Sequence, residues 1–177
     1  MYKEISILGT FFDDPARGYY IREIARLTKL NHMTARSYLN RFVKEGLLLR
    51  KKSSLYQTYS ANASNKQFHN LKLFYNLEQL RKSKLIEELE SFYDYPAIVL
   101  FGSYAQATNT KESDIDICII TNIHKEFNTE KHKSILKRSI SIHQFTENQF
   151  TTMKTKNQGL LNNICNGITL SGKLEVV

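Results

Sequence analysis

The chain has 177 residues, of which 41% are hydrophobic and 24% are charged. This composition is that of a globular protein with one ordinary domain or two small ones. No apolar run approaches the roughly 20 residues of a membrane span, and the first residues lack the apolar stretch of a signal peptide. The two cysteines lie far apart and the five histidines have no metal-ligand spacing. We therefore expect a cytoplasmic protein with two inert thiols and no membrane contact.

The net charge of +8 is concentrated near the N-terminus. Residues 1–62 hold 11 Lys and Arg against 5 Asp and Glu, whereas residues 63–177 hold 14 against 12. An excess of positive charge in one third of the chain predicts a module that binds a polyanion. A basic face that serves only solubility is the alternative, and the folding pattern has to decide between the two.

Three helices and a hairpin are predicted in the N-terminal third. Apolar periodicity marks a first helix before the break at residues 13–15 and a second helix over residues 22–27. Asn31 is a good N-cap for a third helix that runs to Glu45, where Gly46 supplies the stop. Two β-prone runs around a short polar tip then predict a hairpin with basic residues at the tip.

The third helix has a core face and a cationic face. Its core positions follow helical spacing and are Ala35, Tyr38, Leu39, Phe42 and Val43. Its opposite face carries side chains that can donate to base edges in a major groove, namely His32, Arg36, Ser37, Asn40, Arg41 and Lys44. This arrangement predicts that the helix uses its polar face for recognition.

Residues 1–62 resemble a winged helix-turn-helix domain, with Asn31–Glu45 as recognition helix and Arg50–Ser54 as wing. The resemblance implies binding to double-stranded DNA through the cationic face of the third helix and through Lys51 and Lys52. The same fold also serves as a protein–protein module, but the basic outward face favours DNA.

The rest of the chain, residues 66–177, is predicted to form a second domain with a leading helix. Helices and strands alternate there, which indicates an α+β or α/β fold with a mixed sheet. After the leading helix, the predicted elements are a helix over 85–92, a strand over 97–101, a strand over 114–120, a helix over 126–137, a strand over 139–145, a helix from the capping box at 146–149, a helix over 157–166 and an edge strand over 168–170.

The most informative motif of the chain is Gly102-Ser103, ten further residues, and then Asp114-Ile115-Asp116. Side chains at i and i+2 of a strand point to the same face, so the two aspartates project together. Adjacent carboxylates repel each other unless a cation lies between them, and hard oxygen ligands suit Mg²⁺ that bridges substrate phosphates. Gly102 lets the backbone approach a phosphate, and Ser103 adds donors at a helix start. The motif predicts a nucleotide-triphosphate site.

This motif resembles the signature of the DNA polymerase β nucleotidyltransferase superfamily, and most of all its minimal nucleotidyltransferases. The resemblance implies that Asp114 and Asp116 hold Mg²⁺ or Mn²⁺ and that Gly102, Ser103 and Ser113 surround the nucleotide. It further implies transfer of NMP, with AMP from ATP the first choice among the NTPs, to a hydroxyl acceptor.

The sequence departs from that superfamily at two places. The third carboxylate is expected on the strand over 139–145, where Ser141 and His143 share the face of the aspartate pair and neither is acidic. His143 could act as a base, since its ordinary pKa of about 6.5 suits neutral pH; a plain hydrogen-bonded histidine is the alternative. Ala107 stands where family members often carry glycine.

Two functions follow from these residues. The first is a DNA-binding, Mg²⁺-dependent nucleotidyltransferase, with Asp114, Asp116 and His143 as catalytic residues. The resemblance to minimal nucleotidyltransferases adds a toxin–antitoxin role, in which a homodimeric antitoxin modifies a partner toxin. The second is a non-catalytic transcription regulator whose degenerate transferase domain senses nucleotide. The missing carboxylate favours the regulator, and the aspartate pair favours the enzyme.

Overall fold

The computed structural model describes residues 2–52 and 56–174 of the chain. They form a mixed α+β protein, which confirms the predicted fold class, and the chain divides into two compact units, Met1–Tyr75 and Asn76–Val177. Of the helices in the described ranges, none has the length and apolar character that a bilayer crossing requires.

The N-terminal unit contains helices and one antiparallel hairpin. Its elements are α1 (Tyr2–Asp13), α2 (Ile21–Thr28), α3 (His32–Lys44), β1 (Leu48–Lys52), β2 (Gln57–Ala61) and the first part of α4 (Lys66–Ser83). The predicted start and end of α3 are confirmed. The Asn31 side chain accepts a hydrogen bond from the Thr34 amide at 2.8 Å, and Gly46 follows the helix with φ +74°. Two of the predicted wing residues, Ser53 and Ser54, lie outside the described residues.

The core of the N-terminal unit is built from the apolar faces of these elements. Ala35, Leu39 and Phe42 of α3 are buried as predicted. Tyr19 forms an isolated antiparallel bridge with Tyr59 of β2, with N–O distances of 2.7 and 2.9 Å. The sequence did not predict this bridge, which fixes the approach to α2 against the hairpin.

The boundary between the units falls inside α4, and this differs from the predicted domains, residues 1–62 and 66–177. Residues 66–75 of α4 belong to the N-terminal unit because Phe68 is buried in its core and Leu71 and Tyr75 pack against it. Periodicity shows that a helix face is buried but carries no information on which core covers that face.

The C-terminal unit is a four-stranded sheet with helices on both faces. Its elements after α4 are α5 (Leu85–Phe92), β3 (Ala97–Phe101), α6 (Gly102–Ala105), β4 (Ile115–Ile120), α7 (Glu130–Leu136), β5 (Ile140–Phe145), α8 (Glu147–Lys156), α9 (Gln158–Cys165) and β6 (Ile168–Ser171). The strand order is β5-β4-β3-β6, with β4 and β5 parallel and both other pairs antiparallel. The predicted mixed sheet is therefore confirmed.

Side-chain alternation along β4 assigns its two faces to two cores. Ile115, Ile117 and Ile119 are buried in the core that includes Leu85 and Leu89 of α5. Cys118 is buried on the other face with residues of α8 and α9. Because Asp116 lies on the Cys118 side, the sheet separates it from the isoleucine core.

One predicted helix begins at the wrong residue. The charged helix expected over 126–137 is α7, Glu130–Leu136. The Asn128 side chain accepts a hydrogen bond from the Glu130 amide at 2.9 Å, so the chain is still turning there. Phe127 is partly buried and packs edge-on against Phe92, with ring centroids 5.3 Å apart, and this contact keeps residues 126–129 outside the helix.

Candidate active site

Gly102 and Asp116 lie side by side at one end of the two central strands, β3 and β4. Phe101, the last residue of β3, pairs with Asp116 in antiparallel register, and α6 starts at the next residue. Gly102 has φ +68°, and a Cβ at this position would lie 2.6 Å from Asp116 Oδ2. Glycine is therefore required for its backbone conformation and for the close approach of the turn to the carboxylate.

The two aspartates differ in their surroundings. Asp116 lies within β4 and is half-buried, whereas Asp114 precedes the strand and is exposed. Burial raises the pKa of Asp116, the charge of Asp114 raises it further, and His143 opposes the rise. A carboxylate that is costly to ionise in this site gains most from a bound cation.

The position opposite Asp116 on the neighbouring strand carries no carboxylate. In the parallel pairing of β4 with β5, Ser141 is the register partner of Asp116, and His143 is the partner of Cys118. His143 Nε2 lies 3.8 Å from Asp116 Oδ1, which is beyond hydrogen-bond distance. The Phe101 ring packs edge-on against the imidazole, with centroids 5.2 Å apart, and orients it beside the carboxylate.

Residues 82–164 match the family model for the nucleotidyltransferase domain. The matched segment contains the Gly102-Ser103 turn, both aspartates and the β5 positions, and it excludes the N-terminal unit. A protein from Sulfolobus solfataricus, described as a proposed nucleotidyltransferase, is 17% identical over 62% of this chain and 90% of its own, with a TM-score of 0.34. No curated protein matches the chain with significant similarity.

The donor set of this site fits a hard divalent cation with open coordination positions. Asp114 and Asp116 offer oxygen ligands and two negative charges, which is the chemistry that Mg²⁺ prefers when phosphates supply further ligands. Among the described residues, no group of three or more His, Cys, Asp or Glu side chains is placed to hold a metal ion. A cation held by Asp114 and Asp116 would keep coordination positions for phosphate oxygens.

The loop after the Gly102-Ser103 turn is held by groups that the sequence did not single out. The Ser103 carbonyl accepts hydrogen bonds from the amides of Thr108, at 2.9 Å, and Asn109, at 3.2 Å. The buried Asn76 of α4 donates to this loop from a distant part of the sequence. No local pattern marks Asn76, because in the sequence it cannot be distinguished from the other polar residues of the helix.

Ser113, which the sequence assigned to the nucleotide site, stabilises a turn. Its Oγ accepts a hydrogen bond from the Thr110 amide at 2.9 Å, and its own amide donates to the Thr110 carbonyl at 3.1 Å. This reciprocal pair closes the loop just before Asp114. Ser113 is thereby placed to hold the first aspartate at the start of β4.

The residues predicted to contact DNA are all exposed on α3 and β1 of the N-terminal unit; they are His32, Arg36, Ser37, Asn40, Arg41, Lys44, Lys51 and Lys52. Arg41 and Asn40 have partners among the described residues. Arg41 is 2.5 Å from Glu4 Oε1 and lies over the Tyr38 ring. Asn40 Oδ1 accepts a hydrogen bond from the hydroxyl of the buried Tyr59 at 3.3 Å.

Proposed function

We propose that the C-terminal unit transfers a nucleoside monophosphate from an NTP, with ATP as the first choice, to a hydroxyl acceptor. The observation that carries this proposal is the approach of the Gly102 backbone to the Asp116 carboxylate, next to Asp114, inside the matched segment. In the reaction the acceptor oxygen attacks the α-phosphorus, the bond to pyrophosphate breaks, and the acceptor hydroxyl loses its proton.

The residues of the site divide these tasks. Asp114 and Asp116 would hold the divalent cation, which supplies charge neutralisation on the phosphates when it is bound. The Gly102-Ser103 turn would donate hydrogen bonds to phosphate oxygens and fix the leaving group. His143, beside Asp116, would take the proton of the acceptor hydroxyl.

A labelling experiment tests this function directly. The protein is incubated with Mg²⁺ and ATP labelled either at the α- or at the γ-phosphate, together with the protein encoded beside it as candidate acceptor. Transfer of AMP places the α-label on the acceptor and leaves the γ-label in pyrophosphate. Labelling from the γ-position would instead indicate phosphoryl transfer, and no Mg²⁺-dependent binding of ATP would contradict the proposal.

A second candidate function is nucleotide sensing without transfer. Ser141 supports it, because this residue stands opposite Asp116 where the superfamily is expected to carry its third carboxylate. A domain that binds ATP but lacks a competent base would report nucleotide to the N-terminal unit and leave the nucleotide intact.

Two substitutions on β5 separate transfer from sensing. If His143 is the base, we expect His143→Ala to lower the transfer rate about 10²–10⁴-fold while ATP affinity changes little, as is typical for loss of a general base. If the domain only senses nucleotide, Ser141→Asp should raise transfer from near zero. Rates that respond to neither substitution would show that the base lies elsewhere. Radiolabel transfer and ATP titration measure both quantities.

We also propose that the N-terminal unit is a winged helix-turn-helix that binds double-stranded DNA as a homodimer. The exposed cationic face of α3 supports this role, as does the excess positive charge of residues 1–62. In this scheme the chain regulates its own operon and modifies a partner protein, as an antitoxin does to its toxin.

The contacts of α3 sharpen the expected DNA contacts. Because Asn40 Oδ1 accepts a hydrogen bond from the Tyr59 hydroxyl, one of its two lone pairs is already used before DNA binds, and the buried tyrosine orients the amide. Arg41 is engaged by Glu4, so Arg36 is the arginine of this face best placed for base contact.

We therefore expect Arg36→Ala to weaken binding to the cognate operator by about 1–3 kcal/mol and to relax its sequence preference. Arg41→Ala should have a smaller effect. Lys51→Ala should weaken binding to all DNA sequences alike. It should also make the slope of log K against log salt less steep by about 0.9, the contribution of one phosphate contact. Lys154→Ala on α8 of the other unit is the matched control for lost charge. Fluorescence anisotropy over a salt series measures these effects, and equal affinity of all four variants would rule out this surface.

A further inference from the structure

A buried pair of amide side chains lies behind the Gly102-Ser103 turn. Asn76 of α4 and Asn109 of the following loop are each only 3% exposed. Asn76 Nδ2 donates to Asn109 Oδ1 at 2.9 Å and to the Tyr104 carbonyl at 3.0 Å, and Asn109 Nδ2 faces Asn76 Oδ1 at 3.5 Å. Neither residue belongs to the motif that marks the nucleotide site, and Asn76 lies outside the matched segment.

The orientation of this pair follows from hydrogen-bond chemistry. A backbone carbonyl only accepts, so the Asn76 atom that faces Tyr104 O has to be the nitrogen. The same nitrogen then requires the oxygen of Asn109 at its second hydrogen. Both hydrogens of Asn76 Nδ2 are thus used. An apolar side chain of similar size at position 76 would leave the two acceptors without these donors.

The pair acts on the backbone that approaches Asp116. Tyr104 is in the single turn of α6, one residue after Ser103, and its carbonyl is fixed by Asn76. Because Asn76 also donates to the Asn109 side chain, both ends of the loop are tied to one side chain of α4. The Asn109 backbone amide closes the loop by donating to the Ser103 carbonyl at 3.2 Å. Within this loop the buried Ala107 has φ +55°, a conformation unfavourable for alanine that needs such support.

We propose that Asn76 and Asn109 are positioning residues that hold the Gly102-Ser103 turn against Asp116 in the form that accepts nucleotide phosphates. The proposal rests on the proposed nucleotide site. The turn leaves so little room beside Asp116 Oδ2 that a small displacement of Gly102 changes the space for a phosphate oxygen or a cation. Asn76 touches no substrate in this scheme and acts through the backbone.

Two isosteric substitutions test the role of the Asn76 donors. Asn76→Asp removes both hydrogens and with them the side-chain donor to the Tyr104 carbonyl, which then keeps the more distant Ala107 amide at 3.4 Å, whatever Asn109 does. Asn109→Asp keeps both donations from Asn76, because an aspartate oxygen also accepts. Both variants introduce a carboxyl group of the same size at the same degree of burial, so each controls for the other.

Three quantities are measured on the full-length protein: unfolding by denaturant, amide hydrogen exchange of residues 102–109, and ATP affinity with Mg²⁺ by calorimetry. In Asn76→Asp we expect faster exchange in that loop and ATP affinity about tenfold weaker, the equivalent of one buried hydrogen bond. Asn109→Asp should stay within about threefold of wild type by the same scale. Acidification should restore part of the exchange protection in Asn76→Asp, because a protonated carboxyl group can donate to the Tyr104 carbonyl.

Several results would overturn the inference. Equal losses of ATP affinity in Asn76→Asp and Asn109→Asp would assign the effect to the buried carboxyl group. Faster hydrogen exchange in Asn76→Asp without a loss of ATP affinity would show that the turn needs no positioning. If Asn76→Asp does not fold, Asn76→Ala provides the same comparison without a charge. A wild-type protein that binds no ATP would overturn the proposed function as well, whereas wild-type binding with unaffected variants overturns this inference alone.

Discussion

Replacing Asp116 by asparagine is expected to abolish the Mg²⁺-dependent binding of ATP. The substitution keeps the size of the side chain and removes one of two charges that would hold the cation. Because a bound cation supplies several kcal/mol of charge stabilisation, we expect affinity to fall on the order of 100-fold or more. Asp114→Asn should behave similarly. Calorimetric titration of ATP with Mg²⁺ and with a chelator measures the difference.

The matched control is Glu112→Gln, which makes the same chemical change two residues before Asp114. Glu112 is 83% exposed and lies 3.7 Å from Lys111, so its loss should leave ATP affinity unchanged. Equal ATP affinity of the wild type and Asp116→Asn, with and without Mg²⁺, would contradict the proposed site.

Asp116→Asn should also increase stability, and the increase should depend on pH. Folding raises the pKa of Asp116 above its ordinary value near 3.8, mainly through burial. As pH rises past that value the unfolded chain loses this proton first, so the free energy of unfolding of the wild type falls until the folded-state pKa is passed. The variant lacks that fall. Denaturant unfolding at pH 3 and pH 7 should therefore show a gain only at the higher pH.

Gly102→Ala is expected to have the second large effect. An added Cβ would lie 2.6 Å from Asp116 Oδ2, and alanine is disfavoured at φ +68° by about 1–2 kcal/mol. Relief of the clash has to move either the turn or the carboxylate, so ATP affinity should fall along with stability. Unfolding by denaturant and ATP titration measure the two effects separately.

Gly159→Ala is the matched control for this substitution. Gly159 lies in α9, and apart from its chain neighbours and the nearby helix backbone no described atom lies within 4 Å of a Cβ built there. Alanine should stabilise that helix by up to about 1 kcal/mol and leave ATP affinity unchanged. A Gly102→Ala variant with wild-type affinity would show that the turn does not contact the nucleotide.

Local signals in the sequence were sufficient for most elements and for the position of Asp116 in β4. The start of α3 was predictable because Asn31 caps the residues immediately after it. The placement of Asp116 was predictable because alternation along β4 buries Ile115 and Ile117 in one core and leaves the carboxylate between them on the other face. Each of these signals is complete within about ten consecutive residues.

Contacts between distant residues could not be predicted from those signals. Asn76 and Asn109 are 33 positions apart, and neither belongs to a pattern that names the other. His132 was unremarkable in the sequence, yet it is fully buried, with its ring nitrogens 3.1 Å from the Ser83 carbonyl and 3.0 Å from Glu88. Polar groups of this kind are selected by the packing around them, which a single sequence does not contain.

The two cysteines provide a built-in chemical reporter for the sheet that carries Asp116. Cys118 is buried in β4, and burial raises the pKa of its thiol to about 12, so almost no reactive thiolate forms near neutral pH. Cys165 is exposed at the end of α9. A thiol reagent therefore modifies Cys165 on the folded protein and Cys118 only when β4 opens. The mass of the product shows whether one or both cysteines were modified, and no substitution is needed.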